Sequence, residues 1–299
     1  MIITVVIPTK NRPSELFYAV QSIISQEYKI NQLLIIDQSD NDDSKYRIKN
    51  LLDKNTFINL DYIYNTEING LVEAKIYALK YAIGDLIFFL EDDIYLSQNY
   101  FSQIIYSFNN YPDMLGCCGL ISNHKDSTLY NFFFYLFHRG IFYDPRIGLN
   151  SSISSSSLTV ISSPTLSGGV STWRREVFNY LNFDSTNLFF MMEDIEFSTR
   201  ARLFFGDRFF IIPNAKIIHY SSKLNREKDE DRQLRKVSES IIFFKKRRFV
   251  PYAFSNLLLL LLGLFLESLL KTIYHRSFKF LINFYKGILF GIRWRLRIL

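Results

Sequence analysis

FFLEDDIYL, residues 88–96, sets three consecutive carboxylates at the end of an apolar run. Leu86–Leu90 lead straight into Glu91, Asp92 and Asp93, and an apolar stretch resumes at Ile94. Like charges this close repel, so the arrangement calls for a cation, a proton or a very wet surface. The apolar run reads as a buried strand, so the carboxylates stand at a strand end.

Working outward, the same design recurs. ITVVIPT (3–9), QLLIIDQ (32–38) and LDYIYN (60–65) are strand-like runs stopped by turn residues. Between them, SELFYAVQSIISQ (14–26) has helical spacing with Ser14 as an N-cap candidate, and 42–54 reads as a polar helix. In GLVEAKIYALKYA, Leu71, Ala74, Ala78 and Ala82 share one helical face. Alternation of strands with helices, with continuously apolar strands, predicts an α/β fold with a mostly parallel central sheet and helices on both faces. Ligands of such sheets sit beyond the carboxyl ends of the strands. That places Pro8–Thr9, Asp37–Gln38, Asn65 and Glu91–Asp93 along one edge.

Past residue 113 the pattern loosens. MLGCCGLIS reads as a strand, 129–150 as aromatic and irregular, and the Ser-rich run from Asn150 as a mobile loop. TLSGGVSTWRREVF reads as strand then helix, MMEDIEFSTRARLFF as helix, and RFFIIP and AKIIHYS as two short strands.

Composition narrows the class. With 48% hydrophobic and 17% aromatic residues the chain is not disordered. The two cysteines, Cys117 and Cys118, are adjacent and make no disulfide scaffold, which fits a reducing compartment. MIITVVIPTKNRP has no basic leader or cleavage pattern, so no secretory signal is expected. The net charge of +6 is uneven: from Lys245 onward eleven Lys or Arg face one acid, Glu267. Such a tail points to an anionic partner. Its aromatics are embedded in aliphatic runs, which disfavours nucleic acid. FVPYAFSNLLLLLLGLFL (249–266) is free of charge and close to the lower limit for a membrane span, with basic flanks on both sides. A single span, a segment lying at the cytoplasmic leaflet, and a soluble helical hairpin all stay open.

The carboxylates offer chemistry. Acids at a strand end can bind a hard divalent cation, which can stabilise a departing diphosphate. Asp37 can accept from a base or a ribose hydroxyl. Glu193 and Asp194 open a predicted helix, where an acid can serve as general base or simply complement the helix dipole. His219 closes a strand and is either structural or a ligand.

Taken in order, VVIPTKNRP, IIDQSDNDDS, NTEINGLVEAKIYALKYAIGD, FFLEDD, LSGGVSTWRREVF and EDIEFSTRAR resemble the family 2 glycosyltransferases of the GT-A fold, bacterial polysaccharide and rhamnosyl-type enzymes among them, over residues 3–220. The resemblance implies a catalytic domain over 1–222; the charge pattern and the leucine run of the remainder then suggest a charged linker helix over 223–248 and a membrane-associated helical segment over 249–299. It implies that Pro8, Thr9, Asn11 and Arg12 line a nucleotide pocket, that Asp37 contacts the base, and that Lys75 lies near the nucleotide. Glu91 and Asp93 would be the outer members of a DxD motif around Asp92, with Glu in place of the usual first Asp. Gly168 and Gly169 would let the donor sugar approach. Asp194, or else Glu193, would be the catalytic base, followed by the basic pair Arg200 and Arg202. His219 matches a position that ligates metal in some relatives, beside Asp93 and Glu91.

The implied activity is inverting transfer of a hexose or deoxyhexose from a UDP- or dTDP-linked donor to a glycan or lipid-linked acceptor. It would use Mn²⁺ or Mg²⁺ and serve bacterial cell-surface polysaccharide synthesis at the cytoplasmic face of the membrane. A non-catalytic nucleotide-sugar or glycan-binding relative is the alternative. A nucleotidyltransferase would need a glycine-rich triphosphate loop after the first strand, and PTKNRP has no glycine.

Overall fold

A computed structural model describes the chain except residues 53–57, 124–126, 148, 150–159, 188, 223, 225–226 and 297–299. The Ser-rich segment 150–157, a candidate acceptor-side element, lies outside the described residues. The chain forms two compact units. The first comprises Met1–Lys125, Asn150–Phe183 and Phe197–Asn225; the second comprises Asp126–Leu149, Asp184–Glu196 and Arg226–Leu299. The tail thus folds together with two earlier segments.

The first unit is built on one mixed sheet. Its strands are β1 (Ile3–Thr9), β2 (Gln32–Asp37), β3 (Asn59–Tyr64), β4 (Leu86–Leu90), β5 (Ile94–Leu96), β6 (Gly116–Ile121), β7 (Ile161–Ser162), β8 (Val170–Arg174) and β9 (Phe209–His219). The order is β3-β2-β1-β4-β8-β6-β9-β5, with β7 on β9. The first four strands run parallel, as the continuously apolar sequences predict. Every residue of β2 and β4 is buried. β8 then joins antiparallel to β4 and β6, so the sheet turns mixed where the carboxylates emerge.

Register aligns the expected edge: Thr9 pairs with Asp37, and Asp37 with Tyr64. The helices α1 (Pro13–Ile24), α2 (Asp43–Leu52), α3 (Leu71–Leu79) and α4 (Tyr100–Asn110) follow their strands. Beneath the site, Trp173, Phe178, Phe183 and Phe197 interlock, with Trp173 and Phe197 ring centroids 4.9 Å apart.

Four local expectations change. Ser14 is not the cap of α1; the helix starts at Pro13, whose fixed φ suits a first helical position. β5 follows the carboxylates directly and was hidden by its three-residue length. RFFIIP and AKIIHYS are one strand, β9, because Pro213 falls where the β6 register skips from Ile212 to Lys216 rather than ending the strand. The aromatic stretch after residue 127 is partly helical. Ser127 caps α5 (Thr128–Phe137) by accepting the N–H of Tyr130.

The second unit contains α5, the first turn of α6 (Glu193–Phe205), and the three helices α7 (Asp229–Arg247), α8 (Ala253–His275) and α9 (Lys279–Arg293). Val237, Ile241 and Phe243 of α7 meet Leu257, Leu260 and Leu264 of α8 and Phe284 of α9 in one core. Gly287 and Gly291 set α9 close on α7. A Cβ at Gly287 would lie 2.6 Å from the Leu234 carbonyl, and one at Gly291 2.8 Å from Ile241 Cβ. α7 also fixes the segment before α6 and the first turn of α6. Lys246 pairs with Asp184 at 2.8 Å and with Glu196, and Glu239 accepts the N–H groups of Met191 and Met192 at 2.8 and 2.9 Å.

Glu239 is 2% exposed. Burial pushes its carboxyl up to about 7, against the pull of those N–H groups and of Arg235. The unfolded chain releases this proton near its ordinary value of 4.5. Between these values the folded state binds more protons, so stability falls as pH rises from about 4.5 to about 7 and levels off above that. Glu239→Gln keeps an acceptor for the N–H groups and is expected to flatten that slope, removing about 3 kcal/mol of pH-dependent change. Urea unfolding of both proteins across this pH range measures it.

Candidate functional site

Glu91, Asp93 and His219 offer ligand atoms that all lie within 4.8 Å of one another. The fold explains the meeting. Asp93 sits between β4 and β5, and β5 pairs antiparallel with β9 so that Ile94 faces His219. Asn123 holds the His219 backbone by donating to its carbonyl at 2.9 Å and accepting its N–H at 3.0 Å. His219 Nε2 lies 3.0 Å from Glu91 Oε2 and 3.1 Å from Asp93 Oδ1. Hydrogen bonds to Asp93 and Glu91 raise the imidazole to about 10, against the opposing effect of burial. Burial acts to raise Asp93, but His219 and the Ser222 N–H, at 2.8 Å, carry it below its ordinary value.

The second carboxylate, Asp92, faces other partners. Thr9 Oγ1 donates to it at 2.7 Å and Arg12 Nη1 at 2.9 Å. Burial still lifts Asp92 to about 6. Arg12 also reaches Asp93 at 3.7 Å and donates to the Leu224 carbonyl at 2.8 and 3.1 Å. One guanidinium thus ties the loop after β1 to the acid pair and to the segment after β9.

Gly169 makes room for the cluster. Its carbonyl accepts the Glu91 N–H at 2.9 Å, and a Cβ there would lie 2.2 Å from Glu91 Cδ. Only a residue without a side chain lets Glu91 turn toward His219. Gly168 lends its carbonyl to Lys75 Nζ at 2.9 Å. Lys75 is 1% exposed and also lies over the Phe89 and Phe183 rings, which offset its desolvation.

Pro8, the penultimate residue of β1, pairs with Ile36. Asn11 takes a left-handed conformation, φ 53°, which Asn tolerates. Its N–H donates to Ser39 Oγ and its side-chain amide exchanges hydrogen bonds with Asp40, joining the loops after β1 and β2. Asp37 is fully buried, accepting from the Ser39 N–H at 2.9 Å and from the Tyr62 hydroxyl. Burial and Asp37 together raise the Tyr62 hydroxyl.

Glu193 and Asp194 belong to the second unit. Asp194 Oδ2 accepts from Arg146 Nη1 at 2.6 Å, and Arg146 also donates to Asp144 at 2.7 and 2.8 Å. Arg146 is partly buried, and Asp194 and Asp144 hold it well above its ordinary value. Glu193 is buried at the helix start. In the first unit, Arg200 donates to the Asn182 carbonyl and Arg202 pairs with Asp207. Sequence reasoning missed Thr9 as a partner of Asp92, Tyr62, Ser222 and Arg146. Tyr62 alone carried a signal, being an aromatic one strand over from Asp37.

The profile described as glycosyl transferase family 2 matches residues 4–162, just over half of the chain. A glucosyltransferase of Escherichia coli, named UDP-Glc:alpha-D-GlcNAc-diphosphoundecaprenol beta-1,3-glucosyltransferase WfgD, is 26% identical over 126 residues, covering 42% of this chain and 48% of that one. The inactive polypeptide N-acetylgalactosaminyltransferase-like protein 5 of Macaca fascicularis is 26% identical over 224 residues, covering 71% and 49%. The chain thus spans about half the length of these curated relatives. A mannosyltransferase from Pyrobaculum calidifontis, solved with GDP-Man and Mn²⁺, shares the fold, with a TM-score of 0.62, 14% identity and coverage of 97% and 87%. The fold is GT-A, and the chain belongs to glycosyl transferase family 2.

Proposed function

We propose that this chain is an inverting glycosyltransferase. It moves a hexosyl or deoxyhexosyl group from a nucleoside-diphosphate sugar, UDP- or dTDP-linked, to a glycan or lipid-linked acceptor. The setting is bacterial cell-surface polysaccharide synthesis at the cytoplasmic face of the membrane. The observation that carries the reading is the Glu91, Asp93 and His219 cluster at a strand end, beside Arg12, Thr9 and Asp92. Two carboxylates and an imidazole form a donor set that fits Mn²⁺ or Mg²⁺. Such an ion neutralises a diphosphate and makes it a better leaving group.

The chain's own residues do the rest. Thr9, Asn11 and Arg12 form the loop that meets the nucleotide, and Asp37 with Tyr62 closes the wall beside the base. Lys75 holds the Gly168 carbonyl, and Gly169 leaves room for Glu91. Asp194 takes the acceptor hydroxyl proton as that oxygen bonds to the anomeric carbon; the bond from that carbon to the diphosphate breaks, and the nucleoside diphosphate departs. Arg146 orients the Asp194 carboxylate. The alternative, a non-catalytic sugar-nucleotide or glycan-binding relative, draws support from Glu91 at the DxD position, from the engagement of Asp194 by Arg146, and from similarity to a relative named inactive.

Thermal melting with UDP, dTDP and GDP, with and without Mn²⁺, tests the donor site. A ligand at a hundred times its Kd is expected to add about 2.7 kcal/mol to stability. The metal-dependent part of this gain should vanish in Asp93→Ala; absence of any nucleotide response in a folded sample sinks the reading. Gly169→Ala is expected to weaken Mn²⁺ binding by about tenfold or more through displacement of Glu91, read by calorimetric titration. Asp194→Asn separates enzyme from binding module. Transfer should fall by about 10²–10⁴-fold while the donor-induced melting shift persists. A wild-type protein that binds donor and never transfers favours the alternative.

A further inference from the structure

α8 is long and apolar enough to cross a membrane, yet only 28% of its most apolar window is buried. A core helix of a soluble protein would be mostly covered. One side of α8 is fastened to α7 along its length. Gln233 donates to Ser268 Oγ at 2.7 Å and to the Leu264 carbonyl at 3.2 Å, and Lys236 pairs with Glu267 at 2.7 Å. Glu267 also meets Lys271 at 3.0 Å. α7 carries ten charged residues among its nineteen, so it cannot follow α8 into hydrocarbon. To cross, α8 would have to abandon these bonds and uncover Val237, Ile241 and Phe243 of α7.

The other side of α8 has no cover among the described residues. Phe254, Leu258, Leu262 and Leu270 are each more than half exposed. α9 repeats the design. Ile282, Tyr285, Leu289 and Ile292 form an exposed ridge at alternating spacings of three and four. Lys279, Lys286 and Arg293 follow at seven-residue intervals, all exposed, along one line of the helix. From Ser268 to the end of the chain there are seven Lys or Arg and no acid. An apolar ridge flanked by a row of cations matches an anionic lipid surface, where acyl chains meet acidic headgroups.

We infer that α8 does not span the bilayer: it lies in the plane of an anionic leaflet with its outer ridge immersed, and α9 lies there too, its cations on the headgroups. This rests on the membrane placement within the function proposed above. The immersed depth expected of such helices is about 5–10 Å.

Flotation of the full-length protein with phosphatidylcholine vesicles, and with vesicles enriched in phosphatidylglycerol, tests it. The protein is expected to float with the anionic vesicles and to be released by high salt. The triple variant Lys279→Glu, Lys286→Glu, Arg293→Glu should lose at least about 100-fold in affinity, from about fivefold per cation. Leu258→Ser with Leu262→Ser should weaken binding further without lowering the melting temperature, because both side chains point outward. Protein in native membranes should be extracted by alkaline carbonate. Retention in the carbonate pellet overturns the in-plane seat in favour of a span. Equal flotation with both lipids, unchanged by the triple variant, overturns the headgroup contacts. Self-association that is lost in the leucine variant, without flotation, assigns the ridge to a second copy instead. Melting with UDP and Mn²⁺ on the same sample separates the two readings. A protein that answers nucleotide but floats with neither lipid overturns the lipid seat alone. One that floats but answers no nucleotide overturns the transferase reading alone.

Discussion

Three carboxylates cannot leave one buried strand side by side unless each is met by positive charge. Two unit charges about 4 Å apart repel by about 4 kcal/mol at an effective dielectric near 20. The chain divides the task. His219 stands between Glu91 and Asp93, while Arg12 and Thr9 take Asp92. Much of the first unit's architecture follows. β5 must pair with β9 to bring His219 to Asp93, β8 must end its loop in a glycine for Glu91 to turn, and the loop after β1 must double back so that Arg12 reaches the acids.

The other candidate acids obey a different constraint. Asp194 is gripped by Arg146, which Asp144 holds from its own turn. A partly buried guanidinium between two carboxylates is best stabilised while both stay ionised and close; removing one leaves a charge with less compensation. The segment leading to Asp194 is itself clamped by Glu239 on α7. Orientation of this carboxylate is therefore set by residues far away in sequence, on α7 and in the aromatic stretch.

That distance explains what the sequence could and could not disclose. The strands β1 to β4 were legible because each is an apolar run closed by a turn residue, and the strand ends carry the candidate site, so Thr9, Asp37 and Glu91–Asp93 could be placed on one edge. His219 was legible only as the end of a strand. Its partnership with Asp93 depends on β5, three residues long and too short for any periodicity to register. Pro213 suggested a break in β9, but proline interrupts a strand only where its missing N–H is needed, and the register skip removes that need. Arg146 gave no signal: it follows aromatic residues without a period, and its role comes wholly from Asp144 and Asp194. Gly287 and Gly291 looked unremarkable until the α7 backbone was seen against them.

The apolar tail shows why hydropathy alone left three readings open. Length and composition describe a helix in isolation, whereas its fate depends on what it is bonded to. α7 presents Val237, Ile241 and Phe243 on one side and ten charges overall, so it must be buried on a stripe and wet elsewhere. Burying each leucine of α8 on that stripe is worth about 1.5–3 kcal/mol, and each hydrogen bond to Ser268 or Glu267 adds to it. A span would forfeit both for α8 while bringing Glu267 and Lys271 toward hydrocarbon. Contact with α7 and contact with lipid therefore compete for α8 only if it crosses. Lying flat, it satisfies α7 with its inner stripe and lipid with its outer one.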